Sequence, residues 1–267
     1  MMKKINLFLM FCLLITCQSI ASDIVFKDID GKVLSKSDLV GYSGTAKWEV
    51  ISEKSVNQEA IELHNQGREY GKKGDYEKSL VFLRKANKSD PLWAYPVYDM
   101  AFTHLLMGNN SKALELYKNV NSMEPKGFFT TKTAIYTLEG EENGDFPEGL
   151  YYGYLSLEWM EPAQKEEAVK NLVKNVPSFA PGWKEAFRFV EDDKSALTAI
   201  EKGLATKPDK ETYGILLVNK ALILNRQDKT NEAIEILGQL ALDKNSTLAT
   251  EKLAKQTLTF ILNDDSE

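Results

Sequence analysis

The sequence is short of the residues that most enzyme and metal chemistry needs. It holds two cysteines and two histidines in 267 residues, and both cysteines, Cys12 and Cys17, lie ahead of Ala21. Cleavage after Ala21 leaves a mature chain without a thiol, which removes disulfides, thiolate catalysis and zinc-thiolate sites together. No phosphate-cradling glycine-rich loop and no His-Glu-x-x-His helix occurs. His64 and His104 are the only imidazoles available to a nucleophile–histidine arrangement. Carboxylates are plentiful, but Glu191-Asp192-Asp193 and Asp264-Asp265 stand at expected helix junctions or ends, where acids cap helices and solvate turns. Asp28 and Asp30 before Gly31 fall short of a calcium loop, because Phe26 and Ser37 occupy the first and last carboxylate places. The expectation is a non-enzyme that carries no metal and no cofactor.

A long hydrophobic run is also missing. Ile5 to Ile15 is apolar but reaches only about half the ~20 residues a membrane-spanning helix requires. Lys3 and Lys4 precede it, and the small residues Ser19 and Ala21 come after it, so residues 1–21 read as a signal peptide and Ser22 as the mature start. That places the protein in the periplasm or outside the cell. Leu14-Ile15-Thr16-Cys17 offers an alternative, a lipoprotein anchored through Cys17, and this is the one route by which the chain would meet a membrane. Basic residues are outnumbered too. Loss of Lys3 and Lys4 takes 33 basic residues to 31 against 39 acidic, a formal charge of −8 for the mature chain. Such a surface argues against nucleic acid and anionic membranes as partners.

What the sequence does contain is a repeat. Gly74-Asp75-Tyr76 and Gly108-Asn109-Asn110 are 34 residues apart, as are Pro91 and Pro125, and Gly67 and Ala101. The first unit runs through Leu63, Gln66, Gly67 and Tyr70 to Ser79, Leu83, Ala86 and Pro91. The second runs through Val97, Met100, Ala101 and His104 to Ala113, Tyr117, Val120 and Pro125. Small residues stand where paired helices must approach, large ones where the next unit is met, and prolines where the second helix stops. Weaker units come next at Gly149–Pro177, Trp183–Pro208 and Leu217–Leu240, and an amphipathic stretch runs from Leu248 to Leu262. The spacing Pro125 to Pro177 is 52 residues, 18 more than one period, which marks an insertion at 126–144 containing Phe128, Phe129, Ile135 and Tyr136 and ending in the acidic stretch Glu139 to Asp145. That excess is expected to form a helix and then an acidic loop.

The period and the slots resemble the tetratricopeptide repeat family, sharply in the first two units and less so in the next three. The resemblance implies an all-α superhelix of about five helix pairs over residues 56–262, a C-terminal capping helix and an acidic tail at 263–267. Ahead of it, Ile24-Val25-Phe26 and Lys32-Val33-Leu34 flank the turn dipeptide Asp30-Gly31, so residues 22–55 are expected to hold a short β-hairpin. Family resemblance also implies a concave groove lined by the first helix of each pair, where a peptide or partner surface binds. Placed on this sequence, the groove positions are His64 and Arg68, Tyr98 and Phe102, Leu150 and Tyr154, and Lys184 and Arg188. The spacing of four puts each pair on one helix face. A groove with an aromatic middle and cationic flanks suits an acidic peptide with apolar anchors. Two other arrangements stay open: the aromatic rings pack against the insertion, or the tyrosines stack on a glycan or other small ligand.

Overall fold

A computed structural model of the protein describes residues 24–28, 30–33, 46–50 and 55–264. The expected signal peptide, its cleavage point and the lipidation alternative at Cys17 lie outside these residues, as do 265–267 of the acidic tail. β1 (Ile24–Asp28) pairs antiparallel with β2 (Ala46–Val50), with Ile24 opposite Val50 and Asp28 opposite Ala46. The first strand falls where the sequence places it. Its partner is 46–50 instead of 32–34, although Gly31 adopts the left-handed φ of +86° that a turn glycine permits.

From Gln58 onward the described chain is helical. The first pair is α1 (Gln58–Lys72) and α2 (Tyr76–Ser89), and the second is α3 (Ala94–Leu106) and α4 (Asn110–Met123). Local chemistry sets their ends: the Asn57 side chain accepts from the Glu59 N–H, and Asp75 accepts from the Lys78 N–H. Gly74 and Gly108, 34 residues apart, turn the chain at φ +77° and +75° between the two helices of their pairs. A Cβ at Gly67 would lie 2.8 Å from Leu83 Cγ, so the small slot is a place of helix contact. Ala101, Ala113 and Tyr117 are fully buried, and the Tyr117 ring is the one that the second unit turns toward the insertion and the third pair.

The insertion supplies α5 (Thr131–Asn143), which ends at Gly144 with φ +79°. Glu139 to Asn143, expected in an acidic loop, instead form the last turn of this helix. Their carboxylates are used structurally: Glu139 pairs with Lys118 at 2.8 Å, and Glu141 accepts from the N–H groups of Gly149 and Tyr151 at the start of the next helix. The third pair is α6 (Leu150–Ser156, extended by a 3-10 turn to Trp159) and α7 (Pro162–Asn175). The fourth is α8 (Ala180–Ala186, extended to Phe189) and α9 (Asp193–Ala205), and the fifth is α10 (Lys210–Arg226) and α11 (Thr230–Leu242). α12 (Leu248–Asp264) caps the array. Among the described residues, buried apolar side chains form four clusters, three that join neighbouring pairs and one that joins the fifth pair to α12, so cohesion is distributed along the array.

α12 does more than end the array. The Leu248 N–H donates to the Lys126 carbonyl at 2.7 Å, and the Lys126 ammonium pairs with Glu251, which also holds the buried Lys255. The start of the insertion is thereby fastened to the cap more than a hundred residues further on, and α5 lies against α10. Among the described residues, no helix is long and apolar enough to cross a membrane.

Candidate functional site

The expected groove residues sit on the first helices of their pairs, but they do not form one open strip. His64 is buried, at 3% exposure, with its ring edge-on to Trp93 and Tyr95 and its Nε2 2.8 Å from Asp99 Oδ2. Arg68, which is exposed, leans on the same carboxylate at 3.6 Å. His64 and Arg68 therefore converge on Asp99, a residue that no sequence pattern singled out. Tyr98 packs edge-on to Phe128 and Tyr117, and its hydroxyl meets Thr130 Oγ1 at 3.1 Å. Burial raises its phenol pKa to about 12. The insertion thus covers the ring, as one of the open arrangements had it.

Leu150 and Tyr154 are buried against Phe179 and their neighbours. The Lys184 ammonium stands 5.3 Å from the Tyr154 ring centroid. Burial by itself would lower the Lys184 pKa, but Tyr154, Glu185 and Asp209 around it push it up, so this ammonium stays charged. Glu185 is also buried, and Lys184, Lys165 and Arg188 oppose the effect of burial and hold its carboxyl below the usual range. The fourth pair of groove residues, like the first, meets a carboxylate inside the protein. Tyr98 and Tyr154 have their hydroxyls and faces engaged within the fold, which leaves them little to offer a stacked glycan.

The surface still open lies along α3. Phe102 is half-buried with Trp159 beside it at 6.4 Å, and Trp159 is 61% exposed. On the other side Phe129 is 42% exposed, with its ring 5.3 Å from Tyr95 and 5.2 Å from Tyr98. Phe129 has φ +47°, a left-handed backbone that costs a bulky residue roughly 1 to 2 kcal/mol. Tyr95, Tyr98 and Phe128 cover part of the ring, and the rest of it stays open to solvent. Trp93, Tyr95 and Phe129 form a continuous aromatic ledge from the start of the second pair to the insertion, and His64, packed on Trp93 and Tyr95, shares Asp99 with Arg68. Phe128-Phe129 was visible in the sequence as part of the insertion; nothing in the pattern showed that it would stand over α3.

A second polar centre lies where α5 meets α10. The Asp209 side chain caps α10, accepting from the N–H groups of Glu211 and Thr212. Glu211 is 5% exposed, and its Oε2 accepts from the Thr133 N–H at 3.2 Å and lies 3.3 Å from Thr133 Oγ1. The same hydroxyl is 3.2 Å from Asp209 Oδ1 and has one proton to give. Asp209 Oδ2, Glu211 Oε1 and Thr212 Oγ1 are buried without a hydrogen-bond partner. Burial, reinforced by the neighbouring Asp209 charge, raises the Glu211 pKa to about 8. Among the described residues, no group of three or more His, Cys, Asp or Glu is placed to hold a metal.

A family profile for the tetratricopeptide repeat matches residues 63–91, from within α1 to just past α2. That segment is a tetratricopeptide repeat. No curated protein matches it in sequence. Solved structures similar to it include MamA residues 41 to the end from Desulfovibrio magneticus, at 15% identity and TM-score 0.33, with 69% of this chain and 94% of that one covered. The TPR2AB domain of yeast Sti1 in complex with pHSP90 is 15% identical at TM-score 0.35, covering 78% and 86%. A thermophilic tetratricopeptide-repeat protein of Thermus thermophilus is 18% identical at TM-score 0.31, covering 76% and 99%. The first two pairs have the regular period, and Phe128 and Phe129 of the insertion pack on Tyr95 and Tyr98 of the second.

Proposed function

We propose that this chain is an exported, non-catalytic tetratricopeptide-repeat scaffold that binds a polypeptide partner across α3. The bound segment lies between the ledge of Trp93, Tyr95 and Phe129 and the exposed ring of Trp159, and Phe102 and Arg68 complete the surface. The observation that carries this reading is Phe129, a large aromatic side chain left 42% exposed on a left-handed backbone. Strain of that kind persists where it serves a contact, and exposed aromatic anchors beside an arginine are the commonest high-value elements of protein interfaces. Of the groove positions named from sequence, Arg68 and Phe102 keep their role in this reading. Export rests on the N-terminal 21 residues.

A photo-crosslinking side chain placed at position 129 tests the reading in the native envelope, with position 81 on the outer helix α2 as the control, since Val81 is also exposed. A discrete adduct from 129 that is absent from 81 is the expected result. Equal labelling from both, or an adduct from 81 alone, overturns it.

A further inference from the structure

The first helix of the fourth pair, α8, is only seven residues long before it tightens into a 3-10 turn. α7 and α9 run on past it, so the short helix leaves a notch between them. The result is a shallow depression of about 290 Å³, half open to solvent and just below the roughly 300 to 1,000 Å³ range of ligand sites, with room for a fragment-sized occupant. Its walls are apolar: Val169, Val173, Trp183, Ala186, Phe189 and Ala199. Its rim is not, with Lys170, Lys202, Ser195 and Thr198 around it and no carboxylate among the lining side chains.

Two features make this a prepared surface. The Trp183 indole N–H donates to the Pro177 carbonyl at 2.8 Å, which fixes the ring that forms one wall. α8 itself is pinned by Glu185, around which Lys165, Lys184 and Arg188 gather. Lys170 is occupied by Glu166, at 2.6 Å. The Lys202 ammonium stands 4.9 Å from the Trp183 ring centroid, a cation set over an aromatic face at the mouth of an apolar cleft. The Ser195 hydroxyl is held by Asp192 at 2.6 Å, so the Lys202 ammonium is the group at this mouth that offers an anion a charged contact.

We propose that the α7–α8–α9 cleft binds a small aromatic carboxylate, its ring against Trp183 and Phe189 and its anionic end on Lys202. The site is independent of the partner surface on α3. It uses none of the groove tyrosines, so it also differs from a glycan-stacking site in the groove.

The test is calorimetric titration of the intact mature chain with 2-naphthoate and with its uncharged counterpart 2-naphthamide. The acid should bind saturably with one site and the amide should bind about tenfold more weakly, the factor expected for losing a charge-assisted contact. Lys202→Gln should weaken the acid by a similar factor and leave the amide unchanged. Thr198→Phe, a substitution on the exposed rim, should block both while helix content and melting temperature stay at their original values. Absence of saturable binding, equal binding of acid and amide, or insensitivity to both substitutions overturns the proposal.

Discussion

Replacing Glu211 with Gln should make the protein more stable above neutral pH and leave it unchanged in acid. The carboxyl is buried beside Asp209, and its pKa is raised from 4.5 to about 8 in the folded chain. Between those two values the folded state keeps a proton that the unfolded state has lost, so stability falls as pH rises, by about 1.4 kcal/mol per unit. Summed over the window this amounts to at most about 5 kcal/mol, and local relaxation around the ionised group brings the measurable part to about 2 to 3. Gln keeps the oxygen that accepts from the Thr133 N–H, has no proton to lose, and brings an amide donor to a site where Asp209 Oδ2 has no partner. Urea denaturation of both proteins at pH 5, 6, 7, 8 and 9, with unchanged m-values, gives the comparison. The two stabilities should be close at pH 5, separate through neutrality and run parallel above pH 8. A difference that stays constant over the whole range would show that Glu211 is ionised throughout in the folded chain, and the account of this centre would be wrong.

Other substitutions probe the packing and the surface. Gly140→Ala places a Cβ 2.2 Å from the Phe146 ring and should destabilise by about 1 to 3 kcal/mol in thermal melts, with helix content retained. Glu251→Ala withdraws the carboxylate shared by Lys126 and the buried Lys255, and should cost about 3 kcal/mol in denaturant, well above the cost of Lys126→Ala. Tyr98→Ala should cost about 3 kcal/mol of folding stability, because the ring is packed under the insertion. Phe129→Gly should cost less, about 1 kcal/mol or below, because relief of the left-handed backbone offsets the lost contacts with Tyr95, Tyr98 and Phe128, while partner crosslinking from position 159 falls. If Phe129→Gly lost as much stability as Tyr98→Ala, the ledge would be core and not a contact surface.

The helix pairs could be read from the chain because a repeat states its own period. Gly67, Leu83, Ala101 and Tyr117 recur at fixed distances, and each has a steric reason that needs only its own pair and the next. The break in that period between Pro125 and Pro177 marked the insertion just as directly. Strand pairing was harder, since Asp30-Gly31 specifies a turn but does not choose between nearby and more distant partners for β1. The groove face was legible only as far as helix geometry carries it: spacing of four puts Tyr98 with Phe102 and Lys184 with Arg188 on one face, and it cannot say what stands opposite that face.

That choice belongs to the tertiary structure. Lys126 meets Glu251 and Thr133 meets Glu211 across spans of 125 and 78 residues, and no local pattern encodes such contacts. They exist because the insertion turns inward and the superhelix brings its last pairs round to meet it. In the folded chain Tyr98 is partly and Tyr154 almost fully covered, Asp99 holds Arg68 and Glu185 holds Lys184 and Arg188, and a carboxyl of ordinary sequence context is buried until it holds its proton near neutrality. The sequence determined the repeating unit, because helix packing between neighbours is a short-range problem. Which surfaces the finished array leaves open was decided by contacts between distant units, whose free energy depends on the whole coil of the chain.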